Sequence, residues 1–211
     1  MMEDAPWIYR VLNFTIDIPE LISYYDELVT NYEHLRWDFN KCKNDITDEW
    51  YDKMLSTPGA NEGWGWALQS NLVDMSLPCP PYNISTHPRC DYRNTEMVKG
   101  VISRLQLAMP YAYRWALFVQ PPGGTVPRHI DQLDEYTVHI PIQWDSDSVF
   151  EIGDDPDTPN VITFPADGSV YLLDTIIAHS TINRSDRNRI GIVFRFNRKH
   201  LVHILTLTGE I

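Results

Sequence analysis

Cysteine is scarce in this sequence. Cys42, Cys79 and Cys90 are an odd number with no Cys-x-x-Cys pair among them, which excludes both a disulfide framework and a thiolate zinc site. Reduced thiols in an intracellular compartment are the plain reading. Basic residues are also few: 17 Lys plus Arg stand against 29 Asp plus Glu, a net charge of −12. Such a balance repels phosphate backbones and anionic lipid, so it argues against nucleic acid and membrane surfaces as partners. Long hydrophobic runs are missing too, and nothing approaches the ~20 apolar residues of a bilayer span. The opening MMEDAPWIYR is acidic where a secretory signal is basic, so the expected location is cytoplasmic. The Asn-x-Ser/Thr triplets at Asn13, Asn83 and Asn183 then read as chance matches. Internal repeats and low-complexity tracts are absent.

What is present suits one well-buried core. At 43% hydrophobic and 12% aromatic content, 211 residues are enough for one core and too few for two, so residues 1–211 are expected to form a single domain. After Asp17, a natural N-cap, the segment IPELISYYDELVTNYEHLRW spaces Leu21, Ile22, Tyr25, Leu28, Val29, Tyr32 and Leu35 as one helical stripe. A second stripe in TEMVKGVISRLQLAM, with Met97, Val98, Val101, Ile102 and Leu105, stops before Pro110. Residues 55–92 are rich in Gly, Pro, Trp and Asn, a composition that fits a loop or lid. Residues 1–110 are thus expected to be a helical and loop buttress. From residue 111 to 207 the pattern changes to short strands divided by turn chemistry: YRWALFVQ, YTVHIPIQW, SVFEI, NVITFPA, SVYLLDT, AHSTIN, RIGIVFRFN and LVHILTL. The fold class expected is mainly β with N-terminal helices, a jelly roll or double-stranded β-helix of cupin type buttressed by two helices.

Within that half, PPGGTVPRHIDQ carries His129 and Asp131 two residues apart at the expected mouth of a strand. Side chains at i and i+2 of a strand share a face, so both can reach one ion. Two histidines and one carboxylate on one face suit iron(II) and leave positions open for chemistry, but His-x-Asp alone arises by chance too often to carry an assignment. His179 supplies the third donor, 48 residues past Asp131, in a strand expected to lie beside the first. Ten residues later Arg189 opens the next strand, where a guanidinium can grip a carboxylate with two parallel hydrogen bonds.

This order, His-x-Asp, a gap of about fifty residues, His, then Arg ten further on, resembles the iron(II)/2-oxoglutarate-dependent dioxygenases. Within them it is similar to the aspartyl/asparaginyl β-hydroxylase-like branch that includes free-proline hydroxylases, over roughly residues 111–197. The resemblance implies iron(II) held by His129, Asp131 and His179, with 2-oxoglutarate and dioxygen as co-substrates and Arg189 at the distal carboxylate. It also implies decarboxylation of 2-oxoglutarate to succinate, coupled to hydroxylation of an unactivated C–H bond. A carboxylate at Asp131 argues for hydroxylation, since related halogenases keep a small residue there. His139, ten residues past His129, stands where the branch has a co-substrate histidine, but Thr137 occupies the place of its arginine and Gly191 that of a Ser or Thr. The substrate the resemblance favours is a free amino acid or a peptide side chain, and oligomeric state is left open. Two alternatives stand beside it. One is a non-enzymatic cupin-like module binding a metal or small molecule. The other is a nucleobase oxygenase, which would have to use a local basic patch around Arg184, Arg187 and Arg198.

Overall fold

The computed structural model describes residues 9–38, 63–68, 95–131 and 135–207. In chain order these form β1 (Tyr9–Thr15), α1 (Ile18–Asn31), β2 (Trp37–Asp38), β3 (Trp64–Ala67), α2 (Gly100–Ala108), β4 (Tyr113–Gln120), β5 (Thr125–His129) and β6 (Glu135–Gln143). There follow β7 (Ser148–Ile152), β8 (Asn160–Ile162), β9 (Ser169–Leu173), β10 (His179–Asn183), β11 (Arg189–Asn197) and α3 (Leu201–Leu207). Two sheets result. The larger runs β1-β9-β6-β11-β4-β3-β2 and the smaller β5-β10-β7-β8, every pairing antiparallel. This is the jelly roll expected, with two helices against its larger sheet.

Alternation along the strands decides what faces what. On β11, Ile190, Ile192, Phe194 and Phe196 join the core that also holds Leu21 and Leu28 of α1 and Ile102 of α2. The intervening Arg189, Val193 and Arg195 face the cavity between the sheets. β6 repeats the pattern, with Val138 and Ile140 in the helix-side core and Thr137 and His139 toward the cavity. A second, smaller core of Trp144, Phe150, Ile152, Ile162, Phe164, Tyr171 and Leu173 fills the space between the sheets and borders the cavity. Trp115 belongs to the helix-side core, stacked on Phe194 at 4.0 Å between ring centroids, and takes no part in the pocket. The Asp17 carboxylate caps α1 by accepting from the Glu20 amide at 3.3 Å.

Four expectations need correction. The apolar run LVHILTL is helical and not an eighth strand: Asn197 caps a turn by accepting from the Lys199 amide, and the chain winds on into α3. A seven-residue apolar run fits either structure, and its tertiary setting decides. The second helix is split, because residues Thr95–Met97 make a separate 3-10 turn and α2 begins only at Gly100, whose φ of 54° suits glycine. The first helix stops at Asn31, with Glu33–Leu35 in a 3-10 turn. Finally, His129 ends β5 and does not begin a strand. Strands also arise on the N-terminal side: β1 and β3 flank the larger sheet. Of the expected lid, residues 55–92, all but 63–68 lie outside the described residues, and within those six β3 pairs with β4. No helix among the described residues is long and apolar enough to cross a membrane.

Candidate active site

β10 lies between β5 and β7, and the register sets His179 opposite His129. The two imidazoles approach to 4.3 Å between centroids. Asp131 follows just past β5, its amide donating to the Thr175 carbonyl at 2.9 Å, and this bond turns its carboxylate toward both rings. His129 Nε2 is 3.5 Å from Asp131 Oδ1, and His179 Nε2 is 3.9 Å from Oδ2. One donor atom from each residue lies within 4.8 Å of the others, so the three side chains singled out in the sequence do meet.

The donor set fits a divalent ion in detail. His129 Nδ1 lies 2.7 Å from the Pro127 carbonyl and His179 Nδ1 lies 2.9 Å from that of Ile177. A carbonyl only accepts, so each Nδ1 carries the proton and each Nε2 lone pair is aimed at the shared space. Burial lowers the His179 pKa to about 4, with the neighbouring His129 acting in the same sense, so its ring is neutral and able to coordinate at physiological pH. Burial works to raise the Asp131 pKa, but the charge of the adjacent Arg195 guanidinium holds the carboxyl well below its ordinary range. Iron(II) or a similar borderline ion suits a set of two imidazoles and one carboxylate.

Arg195 is the residue whose place the sequence did not reveal. Its Nη1 donates to Asp131 Oδ2 at 2.5 Å and to Thr137 Oγ1 at 3.2 Å. Thr137 Oγ1 in turn donates to Asp131 Oδ2 at 2.9 Å and lies 2.9 Å from Thr175 Oγ1. Oδ2 is thus held by protein donors, which leaves Oδ1 for a metal. Thr137 accordingly supports Asp131, directly opposite Arg195 in the β6–β11 register. At Gly191 a Cβ would lie 3.1 Å from the Ile140 carbonyl oxygen, a tight approach for any larger residue.

Arg189 and His139 sit deeper. Both line a cavity of about 200 Å³ with the three candidate ligands, between apolar walls of Phe118, Val126, Phe150 and Val193. The Arg189 guanidinium lies 4.1 Å over the Trp144 ring, and its Nη1 is buried with no hydrogen-bond partner among the described residues. Burial pushes its pKa down to about 9, leaving it charged at neutral pH. A buried cation without an anion marks a place where an anionic ligand belongs. His139 packs against Phe150 and Phe164, and burial, aided by Arg189, lowers its pKa to about 3. The three outer arginines are differently employed: Arg184 pairs with Glu151 at 3.3 Å, Arg187 with Asp145, and Arg198 with Asp174. The local basic patch is therefore matched charge for charge. His200 stacks on Tyr111, outside the cavity.

No model of a known protein family matches the chain, and no curated protein does. Solved structures do. A Pseudomonas putida prolyl-4-hydroxylase superposes with a TM-score of 0.51 over 93% of this chain and 95% of its own, at 11% identity. EvdMO1 gives 0.47 at 17% identity, over 90% of this chain but 47% of its own, so this chain spans about half its length. A protein described as a predicted oxalate decarboxylase from Thermotoga maritima gives 0.33 at 20% identity, over 44% of this chain and 73% of its own. At such identities only fold is at issue, and only the first of these carries it. The described residues thus have a double-stranded β-helix fold similar to that of the prolyl-4-hydroxylase.

Proposed function

We propose that this protein is an iron(II)- and 2-oxoglutarate-dependent oxygenase that hydroxylates an unactivated C–H bond, of a free amino acid or of a side chain in a peptide. The observation that carries this reading is the unpartnered Arg189 guanidinium, buried in the same cavity as the His129, Asp131 and His179 cluster. A cation held apart from a metal-ligand cluster, within one small cavity, asks for a short ligand with an anionic group at its far end. 2-Oxoglutarate has that form, with an oxo-acid end to chelate and a carboxylate to be gripped. Iron(II) and 2-oxoglutarate, when bound, supply the activation of dioxygen and the oxidising power for the C–H bond.

The chain's own residues then have distinct duties. His129, Asp131 and His179 hold the ion, each histidine fixed in its tautomer by a carbonyl two residues upstream. Arg189 orients the co-substrate, and His139 offers it an uncharged imidazole, which a proton would turn into a second buried cation. Phe118, Val126, Phe150 and Val193 keep water from the reacting volume.

The test is anaerobic titration of the purified chain with iron(II) and 2-oxoglutarate, following the visible metal-to-ligand charge-transfer band, and then oxygen-dependent succinate release. The band is expected in the wild type and lost in His179→Ala, and succinate release is expected to be lost in Asp131→Ala. A wild type that binds iron but develops no band with 2-oxoglutarate would favour the cupin-like binding module instead.

A further inference from the structure

We infer that Glu135 is a positioning residue for the metal centre: it shares the Arg195 guanidinium with Asp131, so that Arg195 orients the carboxylate without cancelling its charge. The inference rests on the metal-binding reading of His129, Asp131 and His179. Glu135 and Thr137 lie two apart on β6, on the face that meets Arg195. Arg195 Nη1 reaches Asp131 Oδ2 at 2.5 Å and Glu135 Oε2 at 3.4 Å. Glu135 is almost wholly buried, 2% exposed, and is no member of the ligand cluster. It accepts from the Tyr113 hydroxyl at 2.6 Å and pairs with Arg114 Nη1 at 3.0 Å. Arg114 reaches it from a left-handed backbone, φ 54°, a conformation that side chains with a Cβ rarely adopt.

The charges therefore alternate, Arg114, Glu135, Arg195, Asp131, from the start of β4 to the metal ligand. A lone guanidinium this close to Asp131 would repel an incoming cation, and the Glu135 carboxylate offsets that repulsion. Arg114 limits the offset, because it draws on the same carboxylate. The rival reading is a brace: Glu135 on β6 meets Tyr113 and Arg114 on β4 across the intervening β11, and a brace has no stake in the field at the metal.

The two readings differ in sign. Co(II) serves as probe, titrated anaerobically into wild type, Glu135→Gln and Arg114→Gln, with affinity read from its visible absorption and thermal midpoints measured alongside. Glu135→Gln keeps the shape and an acceptor for Tyr113 but removes the charge, and it should weaken Co(II) binding by about ten-fold or more. Arg114→Gln should tighten it. A brace gives no such opposition: both variants lower the midpoint and neither separates from the other in Co(II) affinity, which overturns the inference. Should Glu135→Gln not fold, Arg114→Gln decides alone, and unchanged or weakened Co(II) binding refutes it. Failure of the wild type to bind Co(II) is a separate result, and it would sink the metal-binding reading itself.

Discussion

Arg189 is the most exposed point of the functional reading, in the sense that one substitution tests it. A charge-assisted contact contributes about 1.5–3 kcal/mol, so Arg189→Ala should raise the dissociation constant of 2-oxoglutarate by roughly ten- to a hundred-fold. Arg189→Lys should recover only part, because a point charge cannot reproduce the planar fork. If Arg189→Ala binds 2-oxoglutarate normally while Arg195→Ala does not, the anchor belongs to the other arginine. His139 gives a pH signature in the metal-free chain. Its pKa falls from 6.5 to about 3 in the folded state, first through burial and then through Arg189. The unfolded chain therefore takes up a proton that the folded chain refuses. Stability is complete above about pH 6.5 and is lost progressively as the pH falls toward 3. Urea midpoints measured from pH 7 to 4 should decline, and His139→Phe should flatten the decline, with His179 supplying the slope that remains. A variant as acid-sensitive as the wild type would mean that His139 is not the group responsible.

At the scale of elements, β3 shows how closely backbones approach in this fold. A Cβ on Gly65 would lie 2.1 Å from the Leu117 carbonyl oxygen of β4, so Gly65→Ala must push the two strands apart. Overpacking of this kind costs about 1–3 kcal/mol, and a lowered thermal midpoint with an intact metal site is the expected result. The same strand marks a limit of sequence reading. Trp64 and Trp66 sat in a stretch read as loop, because glycine there signals flexibility by composition but here answers to a close contact. YRWALFVQ, SVFEI and RIGIVFRFN, by contrast, are strands with the bounds their alternation gave, since turn chemistry flanks each. The ligand cluster was legible because His-x-Asp, His and Arg carry recognisable spacing along one chain. Arg195 and Glu135 were not, for their meeting depends on the β6–β11 register, and no local pattern records which residues stand opposite. Nor does any local pattern record that, of the two arginines on this face of β11, Arg189 faces the cavity and Arg195 a carboxylate.

For the molecule as a whole, the site joins the two sheets. His129 and His179 come from the smaller, His139, Arg189 and Arg195 from the larger, and Asp131 is bonded to groups of the larger sheet while meeting the histidines of the smaller. A ligand that touched both an ion held by the His129, Asp131 and His179 cluster and Arg189 would therefore span the barrel. It must also arrive there against the field of the protein. The chain carries a net charge of −12, whereas the cavity is lined by two arginines. A dianion such as 2-oxoglutarate meets repulsion at a distance and attraction only within. Because the Debye length shrinks from about 30 Å at 0.01 M salt to about 8 Å at 0.15 M, added salt screens the far repulsion while sparing the buried contacts. Stopped-flow association should accordingly quicken as salt rises over that range, and a rate that falls would mean the cavity's own cations govern approach. On the proposed function, the speed of capture would then depend on ionic strength in the reverse sense from a steered encounter, with dissociation left almost unchanged.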